Sequence, residues 1–147
     1  MLYLLKIIYL KYTARLNASG DLIGAEKVLE KVIARKPDVD VLTRYAELAT
    51  ARKDWGTAVD RWEHVISACG AAGQPIPKSA AAQLEKARLA QSGALRKAGD
   101  FDGAELLLEK VLETSPNDLI GALAQRAEIA TARKDWGTAV DRWEHVI

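Results

Sequence analysis

Along most of the chain, apolar residues recur three, four and seven positions apart, the spacing that lines one face of an α-helix. They fall at Leu42, Tyr45, Ala46 and Ala49, and after Lys53-Asp54 they resume at Trp55, Ala58, Trp62 and Val65. The polar break between two such runs is short, so each pair of runs reads as two helices joined by a tight turn. Asp54 stands where an aspartate caps a helix by accepting from its free amides and by meeting the positive end of its dipole. Lys36-Pro37-Asp38 and Ser115-Pro116-Asn117 mark two helix ends, because proline cannot continue a helix. The first run, Met1 to Tyr12, is apolar but broken by Lys6 and Lys11, with no small-residue cleavage site behind it. At about a dozen residues it is shorter than the roughly 20 that a membrane-spanning helix needs. It predicts a first helix rather than a targeting segment or anchor, and hence a cytoplasmic chain without a membrane partner.

The same pattern is written more than once. Ala46 to Ile66 reads AELATARKDWGTAVDRWEHVI and Ala127 to Ile147 reads AEIATARKDWGTAVDRWEHVI, differing only where Leu48 becomes Ile129. A looser pair sets GDLIGAEKVLEKV, from Gly20 to Val32, against GDFDGAELLLEKV, from Gly99 to Val111. The chain is therefore two copies of a two-part unit, and repetition of this kind decides an architecture before any motif does.

In this register the chain resembles the tetratricopeptide repeat, a helix-turn-helix of roughly 34 residues. The family's small residue in the first helix falls on Thr13, Ala46, Ser92 and Ala127, and the alanine of its second helix on Ala25, Ala58, Ala104 and Ala139. Its large apolar residue follows at Leu29, Trp62, Leu108 and Trp143, and its closing proline at Pro37 and Pro116. Valine stands at the later small position, at Val32, Val65, Val111 and Val146, and Gly70 replaces the second closing proline. The resemblance implies an all-α, right-handed α-solenoid of about four repeats, arranged as two tandem two-repeat units in a single array over 1–147. Its boundaries are 1–37, 38–69, a connecting loop at 70–78, 79–116, and a truncated 117–147. It also places two positions face to face within a repeat, pairing Leu16 with Leu29, Ala49 with Trp62, Leu95 with Leu108 and Ala130 with Trp143. Small-plus-large alternates with medium-plus-medium, so Trp62 is expected to fill the space beside Ala49.

Composition changes this picture little. Lys and Arg number 21 against 20 Asp and Glu, a net charge of +1, so no global field recruits nucleic acid. Cys69 is the only cysteine and cannot form an internal disulfide, and no Cys and His stand at metal-ligand spacing. Gly73, Lys78 and Ser79 mimic a phosphate loop, but Pro77 stands where its second glycine belongs and no strand precedes it. His64 and His145 occupy equivalent places opposite the apolar stripe and read as solvated. Trp55, Trp62, Trp136 and Trp143 share one helical face and read as core. Asp54, Asp60 and Glu63 with Arg52, Lys53 and Arg61 read as a mixed-sign solvated patch. No enzyme, metal or cofactor is expected.

The family resemblance locates function on the first helices of the repeats, which line a concave surface that binds peptides. Its groove positions fall on Ile7, Leu10, Ala14 and Asn17, then Asp40, Thr43, Arg44, Glu47 and Thr50. The later ones are Lys86, Leu89, Gly93, Arg96 and Lys97, then Gln125, Glu128 and Thr131. Asn17, Arg44, Glu47, Lys86, Arg96, Gln125 and Glu128 are the candidate peptide-binding residues. Thr43, Leu89 and Ala124 stand where the chaperone-tail members carry clamp lysines, so a co-chaperone role is not expected. The mixed charges suit an extended or helical segment bearing both signs. The expectation is a noncatalytic adaptor for a protein or peptide partner. The alternative is an appendage of a larger enzyme, because the Lys-Asp-Trp and Arg-Trp-Glu pattern is similar to repeats beside bacterial glycosyltransferase and sulfotransferase domains. Ile147 falls inside a second helix without a polar cap, which predicts a fragment or a homo-oligomer through exposed repeat ends.

Overall fold

The computed structural model describes residues 2–114 and 119–147, apart from the side chain of Leu2. Ser115, Pro116 and Asn117, read above as a helix end, lie outside the described residues. Those described form the helices α1 (Leu2–Ala18), α2 (Leu22–Arg35), α3 (Val39–Ala51), α4 (Trp55–Ala71), α5 (Lys78–Lys97), α6 (Phe101–Thr114), α7 (Leu119–Ala132) and α8 (Trp136–Glu144), with no strand among them. The all-α expectation holds. The helices fall into two compact units, residues 1–84 and 85–147, with α5 contributing to both.

Four helix pairs turn in the same way. The amide of Asp21 donates to the Leu16 carbonyl at 2.9 Å, Asp54 to Ala49 at 3.1 Å, Asp100 to Leu95 at 2.9 Å, and Asp135 to Ala130 at 3.0 Å. Each bond closes a helix through a residue of positive φ, namely Gly20, Lys53, Gly99 and Lys134. The aspartate that follows then caps the next helix. Asp21 accepts from the Gly24 amide at 2.8 Å, Asp54 from Thr57 at 3.4 Å, Asp100 from Gly103 at 3.0 Å and Asp135 from Thr138 at 3.2 Å.

One boundary differs from expectation. Helix α4 runs through Gly70 to Ala71 and closes at Gly73, where the Gln74 amide donates to the Cys69 carbonyl at 2.9 Å. Gly70 keeps a helical φ, so it terminates nothing, and the connection between α4 and α5 is shorter than 70–78.

In the first unit α1 packs on α2, α2 on α3 and α3 on α4, and α1 also meets α3. Ala25, Leu29, Val41 and Leu48 form a core there, with Leu10, Leu16 and Tyr45 packed against it. In the second unit α6 packs on α7 and α7 on α8. Its core is Ala104, Leu108, Val111, Ala122 and Ile129, covered by Leu89 and Leu95 of α5 and by Phe101. The repeat register is a burial register: Thr13, Ala46, Ser92 and Ala127 are all buried, as are Ala25, Ala58, Ala104 and Ala139. Small residues there let the two helices of a pair approach closely.

The tryptophans depart from the core expectation. Trp62 is 1% exposed, but Trp143, at the matching place in an almost identical sequence, is 38% exposed and Trp136 is 63% exposed. Trp55 is half-buried. Both large indoles make the same internal bond: Trp62 Nε1 donates to Thr50 Oγ1 at 3.0 Å, and Trp143 Nε1 to Thr131 Oγ1 at 3.4 Å. Trp62 thus reaches α3 beside Ala49, itself buried.

The mixed-sign patch is not merely solvated. Glu26 of α2 binds Arg52 at 2.5 Å and also pairs with Arg61, whose guanidinium lies 3.4 Å from the Tyr45 ring centroid and donates to the Tyr45 carbonyl at 3.0 Å. The second copy repeats the clamp: Glu105 of α6 holds Arg142 at 2.7 Å and Arg133 at 3.8 Å, and Arg142 donates to the Arg126 carbonyl at 2.9 Å. In each unit a carboxylate on one helix pair grips two arginines of the next. Charge-assisted bonds of this kind also orient the guanidinium plane.

Two stability outcomes follow. Trp62→Ala costs about 3–5 kcal/mol, as large buried truncations do, whereas Trp143→Ala costs less than about 2 kcal/mol because its ring keeps much of its surface in water. Urea unfolding of the two variants measures the difference, and equal losses would contradict the assigned burial. Lys53→Gly stabilises by about 0.5–1 kcal/mol, the left-handed penalty of about 1–2 kcal/mol less glycine's extra chain entropy of about 0.5–1 kcal/mol. A lowered melting temperature would refute it.

Candidate functional site

The helix order places first helices of consecutive pairs beside one another in the first unit, where α1 meets α3. Between them lies a shallow cleft of about 210 Å³ whose lining includes Thr13, Ala14, Asn17, Arg44, Glu47 and Leu48. Three of the candidate peptide-binding residues, Asn17, Arg44 and Glu47, therefore share one cleft. Arg44 and Glu47 face each other at 2.9 Å, one helical turn apart, while both stay well exposed. The cleft thus offers a guanidinium, a carboxylate and the Asn17 amide on a floor of Thr13, Ala14 and Leu48.

In the second unit Arg96 pairs with Glu128 across α5 and α7, and Lys86 is exposed. Gln125 is engaged within the unit. It is half-buried, accepts from Ser92 Oγ at 2.5 Å and donates to the Leu89 carbonyl at 3.3 Å, so it ties α7 to α5. Other groove positions are similarly occupied. Leu10 and Leu89 pack in cores, Asp40 is bound by Lys6 at 2.6 Å, and Thr50 and Thr131 accept from tryptophans. Thr50 and Thr131 thus face the second helix of their own pair, whereas Asp40 and Gln125 are held by the first helix of the pair before.

A larger cleft of about 470 Å³ lies between the first half of α1, the end of α2 and the start of α3. Tyr3, Leu5, Tyr9, Val32 and Val41 give it an apolar wall, and Lys6 and Asp38 stand in it 2.7 Å apart. Sequence reasoning missed it. The signal was Lys6, which interrupts an apolar run and is answered by Asp38 and Asp40 just after Pro37. Burial alone would raise the Asp38 carboxyl. The hydrogen bonds from Lys6 and the Asp40 amide, with the charges of Lys6 and Lys36, outweigh it and hold Asp38 below the ordinary aspartate value. Burial would likewise lower Lys6, but Asp38 and Asp40 outweigh it and raise the ammonium above its ordinary value.

Elsewhere, His64 and His145 are exposed and Cys69 is a buried free thiol. Among the described residues no group of three or more His, Cys, Asp or Glu side chains is placed to hold a metal ion. No described helix is long and apolar enough to cross a membrane. No protein-family model matches the chain, and no curated protein matches it.

The Lys6 bridge sets a pH signature. A depressed Asp38 adds stability above the unfolded aspartate value and loses it as pH falls through its lower folded value; a raised Lys6 adds stability below the ordinary lysine value and loses it as pH climbs through its higher folded one. Lys6→Met therefore costs about 0.5–1 kcal/mol at neutral pH, and the cost shrinks toward zero as Asp38 protonates in acid. Urea titrations of wild type and variant from neutral pH down through the carboxylate range test this. A difference independent of pH would show that Lys6 acts through packing alone.

Proposed function

We propose that the chain is a noncatalytic, tetratricopeptide-like protein-binding module that docks a peptide segment along the first helices of its repeats. The observation that carries this reading is the gathering of Asn17, Arg44 and Glu47 on one cleft between first helices of consecutive pairs. The fourfold register of buried small residues supports the right-handed solenoid that such a module needs. The partner is a protein segment, extended or helical, carrying charges of both signs. An acidic side chain meets Arg44 and a basic one Glu47, and Arg96 with Glu128 offers the same choice in the second unit. A cytoplasmic location belongs to the same proposal.

Because each charged pair is internally bonded, exchanging its members inverts the local field while preserving the ion pair. The test variant carries Arg44→Glu with Glu47→Lys and Arg96→Glu with Glu128→Lys. It should fold like the wild type by circular dichroism and bind the selected segment at least about tenfold more weakly, as misplaced interface charges do. Segments are selected from a displayed peptide library on the wild-type chain, and their affinities are measured by calorimetry. Equal affinities for the two proteins would refute the groove.

A further inference from the structure

The second helices of the four pairs carry one stripe in common register: Leu22 and Leu29 on α2, Trp55, Val59 and Trp62 on α4, Phe101 and Leu108 on α6, and Trp136, Val140 and Trp143 on α8. On the first three helices every one of these is buried or half-buried. On α8 all three are exposed, with Trp136 and Val140 more than half so. The sequence around them nearly repeats that of α4, so the exposure comes from what lies over the helix and not from the helix itself.

The same structure shows what covers such a stripe. Over α2 it is α3, through Val41, Tyr45 and Leu48, which pack with Ala25 and Leu29. Over α6 it is α7, through Ala122 and Ile129, which pack with Ala104, Leu108 and Val111. Val41, Tyr45 and Leu48 stand five before, one before and two after the small residue of their helix, Ala46, and Ala122 and Ile129 stand at the same offsets from Ala127. At those offsets from Thr13, α1 presents Ile8, Tyr12 and Arg15. Ile8 is 61% exposed and Tyr12 is 52% exposed. The helix α1 thus carries the first two side chains of a covering surface, with Arg15 in place of Leu48 or Ile129, and leaves Ile8 and Tyr12 exposed, while α8 leaves the receiving stripe of a second helix exposed.

A polar pair completes the match. The Tyr45 hydroxyl donates to Glu30 of α2 at 3.0 Å. Tyr12 stands at the place of Tyr45, and Glu144, five residues after Ala139, at the place of Glu30, five after Ala25. Charge agrees as well. Apart from Lys6, which Asp38 and Asp40 bind, α1 carries Lys11 and Arg15 and no acid, whereas α8 with its cap holds Asp135, Asp141 and Glu144 against the single Arg142, which Glu105 already binds.

We propose that α1 of a second copy of this chain docks on the Trp136, Val140 and Trp143 stripe of α8, repeating between copies the α2 to α3 junction within one. Ile8 and Tyr12 cover Ala139 and Trp143, and the Tyr12 hydroxyl donates to Glu144. The contact joins unlike surfaces, so it is heterologous and propagates head to tail unless the rotation closes a ring. It uses neither Arg44 nor Glu47, and its failure would leave the peptide cleft untouched.

The test is sedimentation velocity between about 5 and about 500 μM. Mass should rise with concentration for the wild type. Ile8→Lys and Val140→Lys, both at exposed positions that leave the fold intact by circular dichroism, should each stay monomeric alone. Mixed one to one they should form a dimer and nothing larger, since the mixture keeps one intact α1 and one intact α8 per pair. Tyr12→Phe and Glu144→Gln should each weaken association about tenfold, and together no further, as expected of one shared charge-assisted bond. A wild type that remains monomeric throughout would overturn the proposal and leave the stripe to some other occupant. So would a mixture that stays monomeric, or a Val140→Lys chain that still self-associates, which is the mark of a like-with-like contact.

Discussion

Everything in this molecule rests on one constraint: a two-helix unit has two apolar stripes on its second helix and only one partner to cover them. The first helix of the same pair covers one stripe, and the other must be covered by the next pair. Leu29 and Leu108 show the constraint satisfied, each fully buried where α3 or α7 lies over the preceding helix. Trp143 shows it unsatisfied in a sequence that, as Trp62, is buried. Apolar burial is nondirectional, so it explains why pairs stack but not how they are oriented.

Orientation comes from directional bonds. The four turns repeat one pattern of a left-handed residue followed by a capping aspartate, so each pair turns through the same set of backbone bonds. Between pairs, Glu26 and Glu105 each hold two arginines of the following pair, one near the turn and one on the second helix. Three charged groups fixed at two levels resist sliding better than packed methyl groups do. The result brings α1 against α3 with a cleft between them, and the exposed flanks of those helices become the surface available for recognition.

Much of this was legible in the chain. The helix pairs, the Asp54 cap, the end at Pro37 and the small buried positions all follow from local pattern. Of the candidate residues, Arg44 and Glu47 share a flank of α3 because they stand three apart, whereas Asn17 of α1 joins their cleft only through the packing of α1 on α3. The bond between Gln125 and Ser92 was not legible, since a glutamine on that flank looks the same in sequence whether or not Ser92 sits opposite. The pairing of Arg52 and Arg61 with Glu26 was missed for a related reason: the partners are 26 and 35 residues apart, beyond any helical periodicity. The Lys6 cleft was missed because it is built by three helices at once.

By itself the sequence determined the elements, their turns and which face of each helix is apolar, since all of these depend on neighbours within a few residues. Only the tertiary structure decided which of those faces are covered. Ala46 to Ile66 and Ala127 to Ile147 are almost the same string, yet one tryptophan is sealed and its twin meets water. Burial belongs to whatever lies across from a side chain, and that is a property of the fold around the helix, which identical strings do not share.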